Sequence, residues 1–106
     1  MWAPTLPRQQ VGATIAPMPR IAFTRHLQAV GPSELVEVPG ATVGQLIDSL
    51  AADYPRLKAY VLDDQGAVRK HIAIFVDGAM QPRAAALALP VNDAAEVYVF
   101  QALSGG

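Results

Sequence analysis

The sequence predicts an α+β fold, a mixed β-sheet with one main helix packed across one face. Three observations lead there. Short apolar segments of strand type occur at Ile21–Leu27, Leu35–Val38, Ile72–Val76 and Glu96–Gln101. One stretch, from Val43 to Tyr54, has helical periodicity instead. Turn residues separate the segments, and no internal repeat or linker divides the 106 residues, so one domain with one modest core is expected.

In chain order, Met1 to Pro19 contains Pro4, Pro7, Pro17 and Pro19 with only isolated apolar residues, and reads as an extension outside the fold. Met18 lies just before the first strand pattern, so either Met1 or Met18 fits a natural start. The domain is expected over residues 20–101, with 102–106 as a C-terminal tail. In Ile21–Leu27 alternation places Ile21, Phe23, Arg25 and Leu27 on one side of a strand. Gly31-Pro32-Ser33 then turns the chain into Leu35–Val38, and the two strands make a hairpin. Thr42-Val43-Gly44-Gln45 has capping-box spacing, with the Thr42 hydroxyl accepting the Gln45 amide while the Gln45 side chain reaches back. From there Val43, Leu46, Ile47, Leu50, Ala51 and Tyr54 form one apolar stripe that stops at Pro55.

Asp63-Asp64-Gln65-Gly66 reads as a solvated turn. The β-branched and aromatic run Ile72–Val76 reads as a central strand, followed at once by the tight-turn pair Asp77-Gly78. Ala84–Leu89 fits a short helix or a weak strand equally well. In the last strand, Val97 and Val99 share one face and Tyr98 and Phe100 the other, so valines in the core would leave two aromatics facing out.

Composition removes several classes of function. A hydrophobic content of 52% argues for a folded chain, and the absence of cysteine excludes disulfides, thiolate metal sites and cysteine nucleophiles. Any sulfur chemistry must use sulfur brought from outside. A formal charge of −1, with basic residues scattered along the chain, provides no stripe for nucleic acid. The apolar run Ile72–Val76 is far short of the roughly 20 residues that cross a bilayer, so neither nucleic acid nor membrane is expected as a partner. His26 and His71 are the two histidines, and no spacing joins them to Asp63, Asp64 or Asp77 as metal ligands. Ser104 would be a nucleophile on a tail, without the rigid placement that catalysis needs, so no intrinsic catalytic residue is assigned.

The most informative feature is the ending. The alternating run Val97–Ser104 leads straight into Gly105-Gly106 and its carboxylate. At average glycine usage of about 7%, two terminal glycines arise by chance in roughly one chain in two hundred. Two residues without Cβ can thread a narrow channel and bring that carboxylate close to another protein's backbone.

This order of elements resembles the MoaD/ThiS family of ubiquitin-like sulfur carriers, and with it come the capped helix, Phe75-Val76-Asp77-Gly78 and the terminal Leu103-Ser104-Gly105-Gly106. The similarity spans about Arg20 to Gly106. Gly40–Leu46 looks like the family's helix entry, and Val68–Gly78 looks especially like the cysteine-biosynthesis carriers. Asn92-Asp93-Ala94-Ala95-Glu96 stands where Asp-Gly-Asp-Glu is frequent, and Gln101-Ala102-Leu103-Ser104 lacks a frequent proline, which leaves the pathway open.

The resemblance implies a β-grasp fold and a cytoplasmic carrier with no cofactor of its own. An E1-like adenylyltransferase would use ATP to adenylate Gly106, and sulfur would replace AMP to leave a thiocarboxylate. Its sulfur would pass to an accepting synthase or large subunit in molybdopterin, thiamine or cysteine biosynthesis, with a metalloprotease as a further partner that processes the tail. Gly105 would allow channel passage, Leu103 and Ser104 would contact the channel, and Tyr98, Phe100 and Arg25 would form the docking surface. Two other uses of the same features are a ubiquitin-like modifier joined to lysines through Gly106 and a non-catalytic β-grasp interaction domain.

Overall fold

The computed structural model describes residues 17–101. Five strands form one sheet: β1 (Arg20–Phe23), β2 (Val36–Glu37), β3 (Ile72–Val76), β4 (Ala79–Gln81) and β5 (Glu96–Gln101). Their spatial order is β2-β1-β5-β3-β4, with β1 and β5 parallel at the centre and the other neighbours antiparallel. Three helices accompany the sheet: α1 (Val43–Ala51), α2 (Leu57–Val61) and α3 (Arg83–Ala86). This is the β-grasp arrangement, and it bears out the expected mixed sheet with one main helix.

The core lies between α1 and one face of the sheet. Val43, Leu46, Ile47 and Leu50 of α1 meet Ile21, Phe23, Ile72, Ile74, Val97 and Val99, and Leu57 and Val61 of α2 extend the same cluster. No polar or charged side chain is buried among the described residues. Cohesion therefore comes from apolar area removed from water, roughly 25 cal/mol per Å², together with the backbone hydrogen bonds that the sheet and helices satisfy.

The entry to α1 shows why the neighbouring segment folds as it does. The Thr42 hydroxyl accepts the Gln45 N–H at 3.2 Å, while the Gln45 side-chain oxygen accepts the Ala41 N–H at 2.8 Å. The reciprocal bond thus closes one residue earlier than in the standard box. Two further donors of the first turn, Val43 N–H and Gly44 N–H, are taken by the carbonyls of Leu89 at 3.1 Å and Leu87 at 2.9 Å. A Cβ on Gly44 would lie 3.1 Å from the Leu87 oxygen, so glycine permits this close approach. The ambiguous alanine-rich segment becomes the four-residue helix α3, placed so that the residues after it cap α1.

Three parts of the sequence reading are corrected. The strand expected to reach Leu27 stops at Phe23, and Arg25–Ala29 forms a 3₁₀ helix. Phe23 and Leu27 are four residues apart, so both can be buried by a helical turn as well as by alternation. The turn is favoured by the Thr24 carbonyl, which accepts from Leu27 and Gln28, and by the Gln28 side chain, which donates to the Phe23 carbonyl. β1 and β2 do pair antiparallel, Ile21 opposite Val36, but through this helix and not a tight turn. The sequence reading contains neither the short helix α2 nor strand β4. β4 follows a turn in which Asp77 (φ 51°) and Gly78 (φ 86°) are both left-handed, the requirement of a two-residue type I′ hairpin.

Residues 17–19, which the sequence reading assigns to the leader, are hydrogen-bonded to the domain. The carbonyls of Pro17 and Pro19 accept from Gly40 and Val38, and Met18 N–H donates to the Asp93 carboxylate at 2.8 Å.

Candidate functional site

β5 is a central strand, held on both sides up to its last described residue. Gln101 is registered with Ile72 of β3, and its N–H donates to the Thr24 hydroxyl at 3.1 Å. Thr24 N–H in turn donates to the Val99 carbonyl at 3.1 Å. The root of the C-terminal segment is therefore anchored to both neighbours. Leu103, Ser104, Gly105 and Gly106 themselves lie outside the described residues.

The sheet face opposite α1 is apolar. On it Tyr98 is half-buried and Phe100 is 41% exposed, so the aromatics do face outward while Val97 and Val99 are fully buried. Register extends this face across the sheet: Met80, Phe75, Tyr98 and Ala22 form one row, and Ala73 lies opposite Phe100. Phe75 and Phe100 are diagonal neighbours whose ring centroids lie 5.0 Å apart at 57°, the tilted arrangement that aromatic quadrupoles favour. Met80 is 65% exposed at one margin. At the strand's other end Arg20 and Glu96 form an ion pair.

Sequence reasoning missed Phe75 and Met80 as members of this face. Recognising the Asp77-Gly78 hairpin as a strand pairing would have placed both, because a two-residue turn sets Val76 opposite Ala79 and Phe75 opposite Met80. Arg25 is not on the sheet with Tyr98 and Phe100. It stands exposed on the 3₁₀ helix at the end from which the tail leaves.

Among the described residues no group of three His, Asp or Glu side chains is placed to hold a metal ion, and no helix is long and apolar enough to cross a membrane. The helix side of the domain carries a groove lined by Val36, Val38, Leu50 and Tyr54. What the described residues offer is a central strand anchored on both sides up to Gln101, with an apolar sheet face beside it.

Fold and site together define a ubiquitin-like β-grasp protein. Residues 22–106 match the model of the ThiS family, and the chain belongs to that family. Comparison of structures finds SAMP1 from Haloferax volcanii, with 27% identity over 83% of this chain and 98% of that one, at a TM-score of 0.69. Two further neighbours share the fold at 22% identity. CysO from Mycobacterium tuberculosis has a TM-score of 0.71 and coverage of 80% of this chain and 99% of that one. A chain from the Amycolatopsis orientalis BexX/CysO complex has a TM-score of 0.72 and coverage of 83% and 99%. No curated protein matches the sequence.

Proposed function

We propose that the protein is a cytoplasmic sulfur carrier whose reactive group is the carboxylate of Gly106. The observation that carries this reading is that the ThiS-family match runs through residue 106 and so includes Gly105-Gly106. The carboxylate attacks the α-phosphorus of ATP in the active site of an E1-like adenylyltransferase, expelling pyrophosphate and leaving a glycyl adenylate. Hydrosulfide then adds to the carbonyl carbon and AMP departs, which yields the thiocarboxylate. Where sulfur arrives as an enzyme persulfide, the first product is an acyl disulfide with departure of AMP, and a second partner thiol attacks its enzyme-side sulfur, forming a disulfide on the partner and expelling the thiocarboxylate. The sulfur passes to an accepting synthase or large subunit in molybdopterin, thiamine or cysteine biosynthesis. A metalloprotease that trims the tail would reset or mature the carrier.

In this scheme the chain is a co-substrate, with the catalytic groups and the ATP site on its partners. Ala102 to Gly106, fully extended, span at most about 18 Å, enough to enter a partner's channel while the domain stays outside. Gly105 passes the narrowest point and Leu103 and Ser104 contact its walls. Tyr98 and Phe100 supply the docking surface, joined by Phe75, because exposed aromatics on a sheet offer large rigid contacts at low entropic cost.

A second use of the same adenylate is supported by the likeness to a protein named a small archaeal modifier. A target lysine amine would replace the sulfur nucleophile and give an amide at Gly106. Intact-protein mass spectrometry after incubation with ATP, a sulfur source and candidate adenylyltransferases from the same cell separates these readings. The carrier gains an oxygen-to-sulfur mass change at Gly106 that is lost when Gly106 is removed. Conjugates to lysine without that mass change would replace the carrier with the modifier, and an unreactive tail would leave a binding domain.

A further inference from the structure

Strand β2 is an edge of the sheet. Val38 N–H donates to the Pro19 carbonyl at 3.0 Å and Val36 is registered with Ile21, so the backbone groups of Val36 and Val38 face β1. Hydrogen-bonding direction alternates along an antiparallel pair, which turns the N–H and C=O of Glu37 away from the sheet. Among the described residues neither group has a partner. An edge of this kind is a template for one more strand. Pro39 limits its length, because proline has no N–H and the Pro39 carbonyl already accepts from Ser49 Oγ at 2.8 Å. What remains is a single two-bond pairing centred on Glu37.

The groove on the helix side runs beside this edge. Its volume is about 270 Å³, below the roughly 300–1,000 Å³ of a small-molecule pocket, so it suits a few side chains better than an enclosed ligand. Register sorts what an added strand would meet. Val36 stands opposite Ile21, which is buried on the helix side, so Val36 points to the groove. Glu37 stands opposite Arg20 and points to the other face, and Arg20 is engaged by Glu96 on its far side. In an added antiparallel strand, the residue across from Glu37 shares its face, while the two flanking residues point into the groove.

Charge selects the occupant. Glu37 and Asp53 are the charged residues that line the groove, and both are exposed. The C-terminal end of α1, at Leu50 and Ala51, adds partial negative charge beside them. Of the two continuations of the groove, the one past Pro39 contains Asp48, paired with Lys58, and the one past Tyr54 contains Arg56.

We infer that this edge binds an extended segment of another protein in which a lysine or arginine has an apolar residue on each side. The cation lies across from Glu37, the two apolar side chains fill the groove over Val36 and Val38, and the segment exchanges two backbone hydrogen bonds with Glu37. β1 separates β2 from β5, so strand addition extends the sheet at its margin and leaves Tyr98 and Phe100 uncovered. The site does not depend on the chemistry of Gly106.

The probe is a capped heptapeptide with a central Val-Lys-Val flanked by serine and threonine, titrated into the full chain and followed by amide shifts. Shifts should centre on Val36, Glu37, Val38, Leu50 and Tyr54, and the Glu37 N–H should exchange with solvent more slowly in the complex. A Val-Glu-Val counterpart should bind about fivefold more weakly at low salt, and the E37K/D53K variant should reverse that preference. A probe N-methylated at its central lysine keeps the charge but lacks the donor to the Glu37 carbonyl, and should lose binding.

Equal affinity of the natural chain for the lysine and glutamate peptides would overturn the proposal. So would undiminished binding of the N-methylated probe, shifts centred on Phe75 and Phe100, or no saturable shift at all. In the peptide-free chain, nuclear Overhauser contacts from residues 1–16 to the groove would give it to the chain's own N-terminal segment, and concentration-dependent shifts there would give it to a second copy. Either result would also overturn the proposal.

Discussion

Along β5 one strand shows two environments. Val97 and Val99 point beneath α1 and are fully buried, whereas Tyr98 and Phe100 point the other way, one half-buried and one exposed. The same division crosses the sheet: Ile74 is buried on the helix side while its chain neighbour Phe75 joins the open face. The covered face holds the domain together. The open face is apolar yet contributes less to that cohesion, with Phe100 41% and Met80 65% exposed.

The comparison can be broken or sharpened by experiment. The largest effect is removal of Gly106, which should abolish adenylation while the thermal transition stays in place. Next, Ile74→Ala empties space opposite α1 and should lower unfolding free energy by about 2–5 kcal/mol in urea titrations. Phe100→Ala should behave in the opposite way. Its lost pairing with Phe75 costs only about 1 kcal/mol of stability, far below the roughly 3–5 kcal/mol of a buried phenylalanine. Affinity for the activating enzyme, read by calorimetry, should instead fall about tenfold or more. A loss of stability as large as that of Ile74→Ala, with affinity intact, would end the distinction between the faces.

Smaller effects refine the covered side. Thr42→Ala removes the acceptor of the Gln45 N–H and should cost about 1 kcal/mol, with activation by the partner unchanged. The smallest concerns Asp63, on neither face. Its carboxylate accepts the backbone N–H groups of Ala67 and Gln65, and these, ahead of the nearby Arg69 charge, hold its pKa below the ordinary 3.8. A folded pKa below the unfolded one contributes stability above pH 3.8 that is lost as pH falls through the lower folded value. A carboxyl carbon titration should therefore place Asp63 below 3.8, and in Asp63→Asn that acid-side increment should vanish.

Local chemistry made much of the fold legible. The α1 stripe and its Thr42/Gln45 cap, the buried strand Ile72–Val76 and the alternation in Glu96–Gln101 each depend on spacing that few alternatives satisfy. The errors fall where one spacing serves two structures. Phe23 and Leu27 satisfy both alternation and a helical turn, and the turn forms where the Thr24 carbonyl accepts from Leu27 and Gln28 while the Gln28 side chain donates to the Phe23 carbonyl. Ala84–Leu89 lacks a periodic signal of its own. Its conformation is selected by the donors of α1 that the Leu87 and Leu89 carbonyls satisfy.

The candidate site divides in the same way. The Gly105-Gly106 ending, the sharing of one strand face by Tyr98 and Phe100, the α+β class and the exclusion of cysteine chemistry were determined by the sequence alone, whereas the packing of α1 on Val97 and Val99 decided that the aromatic face is the open one. Tertiary structure alone decided that Phe75 and Met80 complete the apolar face and that Arg25 leaves the sheet. The physical reason is register: side chains distant in the chain become neighbours only when strand pairing aligns them, and pairing depends on the whole core.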